Sequence, residues 1–211
     1  MADSTTGSRR HYGGMAAEER RAERRQRLLD AGLDLLGRRG WHAMTVTAVC
    51  EHARLTPRYF YESFAHRDEL LLAIFDGIIL SVADEAAATV GATPSMDGTI
   101  RAAITAWVRA ASNDPRMARV AFVEALGSEA LMRRRIEATR HFAEQLTDRA
   151  RRLYPNAVDS SLVMAGRIVA GALVETMIEW AEGRSDTPPE NLIEDYTRLC
   201  TATFETAATK A

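Results

Sequence analysis

The sequence predicts an all-α protein: an N-terminal three-helix domain built around a helix-turn-helix, then a larger C-terminal helical domain. Three observations lead to the helical part of that reading. The six prolines, Pro57, Pro94, Pro115, Pro155, Pro188 and Pro189, fall between long Ala/Leu/Arg/Glu-rich stretches and not inside them. Proline breaks a helix interior, so these positions mark starts and stops. No sustained apolar/polar alternation of the kind a half-buried strand needs is present. Two short segments around residues 46–53 and 57–64 are separated by a tight break and flanked by longer apolar stretches, the pattern of a helix-turn-helix.

A tail at 1–15, rich in Gly, Ser and Arg, is expected to be disordered. The head, 16–66, opens with a helix from Ala16 to Leu36, in which Leu28, Leu29, Leu33, Leu35 and Leu36 keep an apolar face. Gly37 and Gly40 end it, and Trp41 is a core anchor. Thr45 caps a second helix, Val46 to Ala53. After a break at Arg54-Leu55, Thr56 caps a third with Pro57 at its first position, running to Ser63 or Phe64. A long fourth helix starts at His66 or Arg67, with Asp68 and Glu69 where the helix dipole favours acids, and reaches Val90. The body, 67–211, continues with helices over Pro94–Ser112, Asp114–Leu126, Glu129–Leu153, Val158–Gly183 and Pro189–Ala207.

Composition bounds the function. The 211 residues suffice for a core without staples. With 46% hydrophobic and 27% charged residues the chain is not a disordered one. The longest apolar candidate, Leu70 to Val82, is interrupted by Asp76 and Ser81, so no run of the ~18 residues that a membrane span needs is expected. The polar N-terminus lacks the apolar stretch of a signal peptide. Cys50 and Cys200 lie far apart and support neither a disulfide framework nor a metal site, which suits a cytoplasmic setting. His42, His52 and His141 form no ligand set. Residues 1–67 carry 12 Arg against 8 acidic residues, whereas 68–211 carry 15 basic against 21 acidic ones. A basic head on an acidic body suggests that the head meets an anion.

The helix-turn-helix supplies the chemistry. Val46, Val49 and Ala53 pack inward and Leu55 plugs the turn, leaving Thr56, Pro57, Arg58, Tyr59 and Ser63 for the outer face of the second short helix. Arg58 can offer two donors to guanine O6 and N7, or one charge to a phosphate. Thr45, Thr47, Thr56, Tyr59, Tyr61 and His66 can donate to phosphate oxygens, and helix N-termini at Thr45 and Arg67 add backbone amides. The Arg20-to-Arg27 run is diluted by Glu18, Glu19 and Glu23, and Arg133-Arg134-Arg135 reads as a solvated helix face.

From Arg25 to Phe75, about a quarter of the chain, the sequence resembles the TetR family of transcriptional regulators. The resemblance runs through R-x-x-L-L-D-A-G-L-D-L-L, R-R-G-W and M-T-V-T-A-V-C-E-H-A to L-T-P-R-Y-F-Y-E-S-F-A-H-R-D-E-L-L. It implies that Thr45 caps the second helix and touches a phosphate, that Tyr61 and Arg67 contact the DNA backbone, and that Thr56 to Tyr59 face base edges. Where the family commonly has Gly, this chain has Arg54. A left-handed Arg costs about 1 kcal/mol or more relative to Gly, which a phosphate contact by Arg54 would offset.

The resemblance also implies a ligand cavity among the middle helices and pairing of the last two helices across a two-fold axis. Trp107, Met117, Phe122 and Phe142, with Met164 and Ile168 opposite, are the expected cavity wall. Glu124 and Glu175 are its expected polar anchors for an apolar or cationic effector. Gly166, Ala170, Gly171, Leu173, Met177 and Trp180, with Leu192, Tyr196, Leu199 and Phe204, are the expected dimer interface. The reading is a cofactor-free, non-enzymatic regulator. As a homodimer it represses from a palindromic site on double-stranded DNA until a small molecule releases it. The rivals are a helical small-molecule carrier or enzyme using the same cavity, and a dimeric adaptor.

Overall fold

The computed structural model describes residues 8–90 and 95–209, with the side chains of 17–90, 95–124 and 127–209. Those residues form nine α-helices and no strand. They are α1 Ser8–Arg39, α2 Val46–Ala53, α3 Pro57–Tyr61, α4 Arg67–Thr89, α5 Met96–Asn113, α6 Pro115–Ala118, α7 Glu129–Leu153, α8 Asp159–Ala181 and α9 Pro189–Ala208. The chain divides into two compact units, Met1–Ile74 and Phe75–Ala211. The division falls within α4 and not at 66/67, because Leu70 and Ile74 belong to the core of the first unit. A Cβ on Gly32 of α1 would meet the Ile74 Cδ1 atom at 2.6 Å, so the two helices touch backbone to side chain there.

In the first unit α1 begins at Ser8, inside the expected tail, while residues 1–7 of that tail lie outside the described residues. The Ala/Glu/Arg-rich turns after Met15 are strong helix formers, and a helix anchored by Leu28, Ala31, Leu35 and Leu36 propagates outward at little cost. Gly40, at φ 79°, turns the chain into a short 3₁₀ turn, Trp41–Ala43, whose indole is buried. Thr45 caps α2 by accepting from the Ala48 N–H at 3.1 Å.

The turn after α2 is a Schellman closure: the Leu55 N–H reaches the Cys50 carbonyl at 2.9 Å and the Arg54 N–H reaches that of Glu51 at 3.1 Å. It requires a left-handed residue, and Arg54 adopts φ 53°, ψ 45°. The backbone therefore does not deviate to relieve the arginine. Arg27 of α1 instead fastens the turn from outside, donating to the Ala53 carbonyl and, at 3.4 Å, to that of Arg54. α3 is shorter than expected, ending at Tyr61, but Phe60 and Phe64 are both core.

In the second unit, the expected start of α5 at Pro94 lies outside the described residues; the helix begins after Ser95, whose hydroxyl accepts from the Gly98 N–H. The single helix expected over 114–126 is three pieces: α6, a π-helical turn at Arg119–Val123 and a 3₁₀ turn at Glu124–Gly127. Val120, Ala121 and Phe122 are buried in succession, which one stripe of an α-helix cannot supply. Widening the turn also brings Arg119 and Glu124, five residues apart, into a 3.0 Å ion pair.

α8 packs on α7 and α9, and α5 packs on α9. Gly166 permits the α7–α8 approach: a Cβ there would sit 2.7 Å from the Ala143 carbonyl oxygen and 2.4 Å from the Thr147 hydroxyl. Contrary to the expectation from sequence, α8 is by length and composition apolar enough to cross a membrane, though only 39% of its most apolar window is buried within the chain. The surplus lies on its outer face, described below.

Two substitutions test these close approaches. Gly166→Ala gains helix propensity but drives a methyl into backbone, and we expect a net loss of roughly 1–3 kcal/mol in denaturant unfolding. Gly77→Ala, where nothing lies within 4 Å, serves as the control and should stabilise by about 0.5–1 kcal/mol. Arg54→Gly relieves the left-handed strain and should stabilise by about 1 kcal/mol. An unchanged or lowered midpoint for that variant would mean that the Arg54 side chain contributes more than its backbone costs.

Candidate functional site

The outer face of the helix-turn-helix is built on buried aromatic residues. Phe60 and Phe64 lie 5.8 Å apart in the core of the first unit, and Tyr61 meets Phe60 edge-on at 5.4 Å while remaining 60% exposed. Thr45, Thr47, Arg54, Thr56, Pro57, Arg58 and His66 are all exposed. The Thr45 hydroxyl, which accepts from Ala48, keeps its own O–H for an outside acceptor. Thr56 makes no side-chain cap. Its carbonyl takes the Tyr59 N–H at 3.0 Å and Pro57 has no N–H to offer, so the hydroxyl is spared. His66 Nδ1 accepts from the Glu69 N–H at 3.1 Å, and Glu69 Oε2 accepts from the Ala65 N–H at 2.6 Å. This reciprocal cap fixes the start of α4 and leaves the neutral His66 ring its Nε2–H as an outward donor.

Two expected contact residues are held by neighbours. Tyr59 is half-buried beneath Arg24, whose guanidinium carbon lies 4.6 Å from the ring centroid. Arg67 is half-buried over the Trp41 ring at 4.1 Å. The sequence reading discounted the arginines of α1, yet they organise this face. Besides Arg24 and Arg27, Arg25 stacks on Phe64 at 4.9 Å, and Arg21 donates to the Glu62 carbonyl at 2.7 Å. Their signal was positional: Arg21 and Arg24 precede Leu28 by seven and four residues, so they continue its buried stripe.

In the second unit the residues expected to line a cavity do not converge. Trp107 and Phe122 form a buried pair, centroids 4.6 Å apart, while Met117 and Phe142 are half-buried. Met164 and Ile168 are 55% and 51% exposed on the outer face of α8, and Glu175 is exposed on the same helix. Glu124 is buried, but Arg119 already supplies its cation. The two carboxylates therefore do not form a pair of unmet anchors, which removes the argument for a cationic effector.

The expected dimer residues separate by helical phase. Gly166, Ala170, Leu173, Met177 and Phe204 are interior to the chain, and so is Tyr196, whose hydroxyl donates to the Val169 carbonyl at 2.7 Å. Trp180 and Leu192 are half-buried; Gly171 and Leu199 face outward. An apolar groove does run along α8 and α9, lined by Met164, Ala165, Ile168, Leu199, Ala202 and Thr206 among others.

Residues 28–74 match the family model of the bacterial regulatory proteins, tetR family. No curated protein sequence matches the chain. Solved structures do. The chain is similar to the fatty acid degradation regulator FadR from Bacillus halodurans, at 15% identity and a TM-score of 0.71 over 84% of this chain and 94% of that one. It is similar to a transcriptional regulator from Rhodococcus sp. RHA1, at 14% identity and 0.71 over 89% and 99%. A TetR-family transcriptional regulator from Streptomyces coelicolor is 20% identical, with a TM-score of 0.69 over 89% and 97%. Residues 28–74 therefore match the tetR family's model, and the chain as a whole has the fold of these transcriptional regulators.

Proposed function

We propose that the protein is a repressor that binds a near-palindromic operator in the cytoplasm as a homodimer and leaves it when a small molecule binds the body. The observation that carries the DNA half is α3 itself. Arg58, its side chain 85% exposed, stands on a helix whose inner face is locked by Phe60. Thr45, Thr47, Arg54, Thr56, Tyr61 and His66 surround it as phosphate-directed groups, and Arg67, stacked on Trp41, keeps donors for one more. Each half-site is read by α3 in the major groove, with half-site centres about one helical turn or a multiple apart.

The homodimer reading rests on the α8–α9 groove. Met164, Ile168 and Leu199, three large apolar side chains more than half exposed, lie together on it, with Gly171 on the outer face of α8 beyond. A second copy presents the same stripe to itself, as a two-fold contact requires. This replaces Gly166, Ala170, Leu173, Met177, Tyr196 and Phe204 by the residues one helical phase away. For the effector, the buried Trp107–Phe122 pair beside the π-helical turn favours an apolar molecule. A ligand that prefers the DNA-free form by about 2 kcal/mol would release DNA about thirtyfold.

Selection of bound duplexes from a random pool should return a near-palindrome, with affinity falling steeply as salt rises. Arg58→Ala should cost ~1–3 kcal/mol and relax preference at one base pair, whereas Arg67→Ala should weaken all sequences alike. Equal losses on every sequence for both variants would remove Arg58 from base reading. Ile168→Arg and Leu199→Arg each place an unpaired charge in the proposed interface. Sedimentation at micromolar concentration should find these variants monomeric; persistent dimers would move the interface elsewhere.

A further inference from the structure

Glu62 is an acid on the face read above as meeting DNA, where it repels phosphate. It forms the C-cap of α3, and its two carboxylate oxygens face two different arginines. Oε1 accepts from Arg58 Nε at 3.2 Å, and Oε2 lies 3.8 Å from Arg24 Nη2. Arg24 is itself fixed over the Tyr59 ring, and Arg21 holds the Glu62 carbonyl at 2.7 Å. The end of α3 is therefore tied to α1 at three points, and Glu62 passes that rigidity to Arg58.

Exposed ion pairs contribute little to stability, so stability is a weak explanation for this arrangement. Its effect on Arg58 is geometric. A long, exposed arginine loses rotamer freedom when it docks, and that loss weakens binding and blurs discrimination. With Nε occupied by Glu62, the two terminal nitrogens remain as a planar fork, the shape that matches guanine O6 and N7.

We propose that Glu62 is a specificity-determining positioning residue: anchored through Arg24 and Arg21, it pre-orients the Arg58 fork toward one base pair. The inference rests on the reading of α3 as the recognition helix.

The test is selection of duplexes from a random pool, followed by affinities on single-base variants of the enriched site, with the whole 211-residue chain. Glu62→Ala should lose about tenfold in preference at the base pair that Arg58→Ala also relaxes, within the range a bidentate contact commands. Preferences elsewhere and the melting temperature should be unchanged. Glu62→Gln, which keeps an acceptor for Nε without the charge, should retain most of the preference. In the Arg58→Ala background, Glu62→Ala should change that base pair no further. Unchanged preference in Glu62→Ala, a loss spread evenly over the site, or a Gln variant as blind as the Ala variant would each overturn the role of Glu62. A wild-type protein that enriches no sequence would instead overturn the recognition-helix reading, and this inference with it.

Discussion

The left-handed turn at Arg54 sets the geometry of the head. Both hydrogen bonds that close α2 run through it, and α3 starts three residues later, at Pro57, so the direction of α3 is inherited from one φ/ψ pair. Glycine would adopt that conformation at no steric cost; arginine does not. The strain is held in place by the Schellman bonds and by Arg27, which reaches across from α1 to the two carbonyls at the turn. A strained residue persists only where its surroundings over-determine it. Here the surroundings are α1, and α1 thereby becomes part of the helix-turn-helix.

The same helix fixes α3 at its other end. Arg21, Arg24 and Arg25 meet the Glu62 carbonyl, the Tyr59 ring and the Phe64 ring. A five-residue helix has too few internal hydrogen bonds to be stable alone. Its rigidity is tertiary, supplied by Phe60 from within and by guanidinium groups from α1. Base readout needs donors held within a fraction of an ångström, and a short helix can provide that only when both ends are fastened from outside.

The sequence was most legible where local chemistry and periodicity agreed. Thr45, Pro57 and the run Asp68-Glu69 marked the starts of α2, α3 and α4, and the bounds of α2 and α7 needed no revision. It was least legible in α8. That helix is apolar on nearly every side, so its hydrophobic pattern does not say which face is inward. Its small residues suggested contact with a partner, yet Gly166 serves α7 within the same chain, and Met164 and Ile168 carry the outer face. Glu124 misled for a related reason: a buried acid does need a cation, and the π-helical turn brings Arg119 to it, a spacing that an α-helical reading of 114–126 excludes.

Composition overstated the charge available to DNA. Residues 1–67 hold twelve arginines and no lysine. Arg24, Arg25 and Arg67 lie over aromatic rings, Arg21 and Arg27 donate to backbone carbonyls, and Arg38 and Arg58 pair with Asp34 and Glu62. A planar, weakly hydrated guanidinium can stack and hydrogen-bond at once, which an ammonium cannot, so these positions are not exchangeable for lysine. Much of the basic signature is therefore structural. Counterion release scales with the phosphates contacted and not with the basic residues present. On the proposed reading of α3 as the recognition helix, sequence discrimination depends less on bulk charge than on how firmly the remaining exposed donors around α3 are aimed.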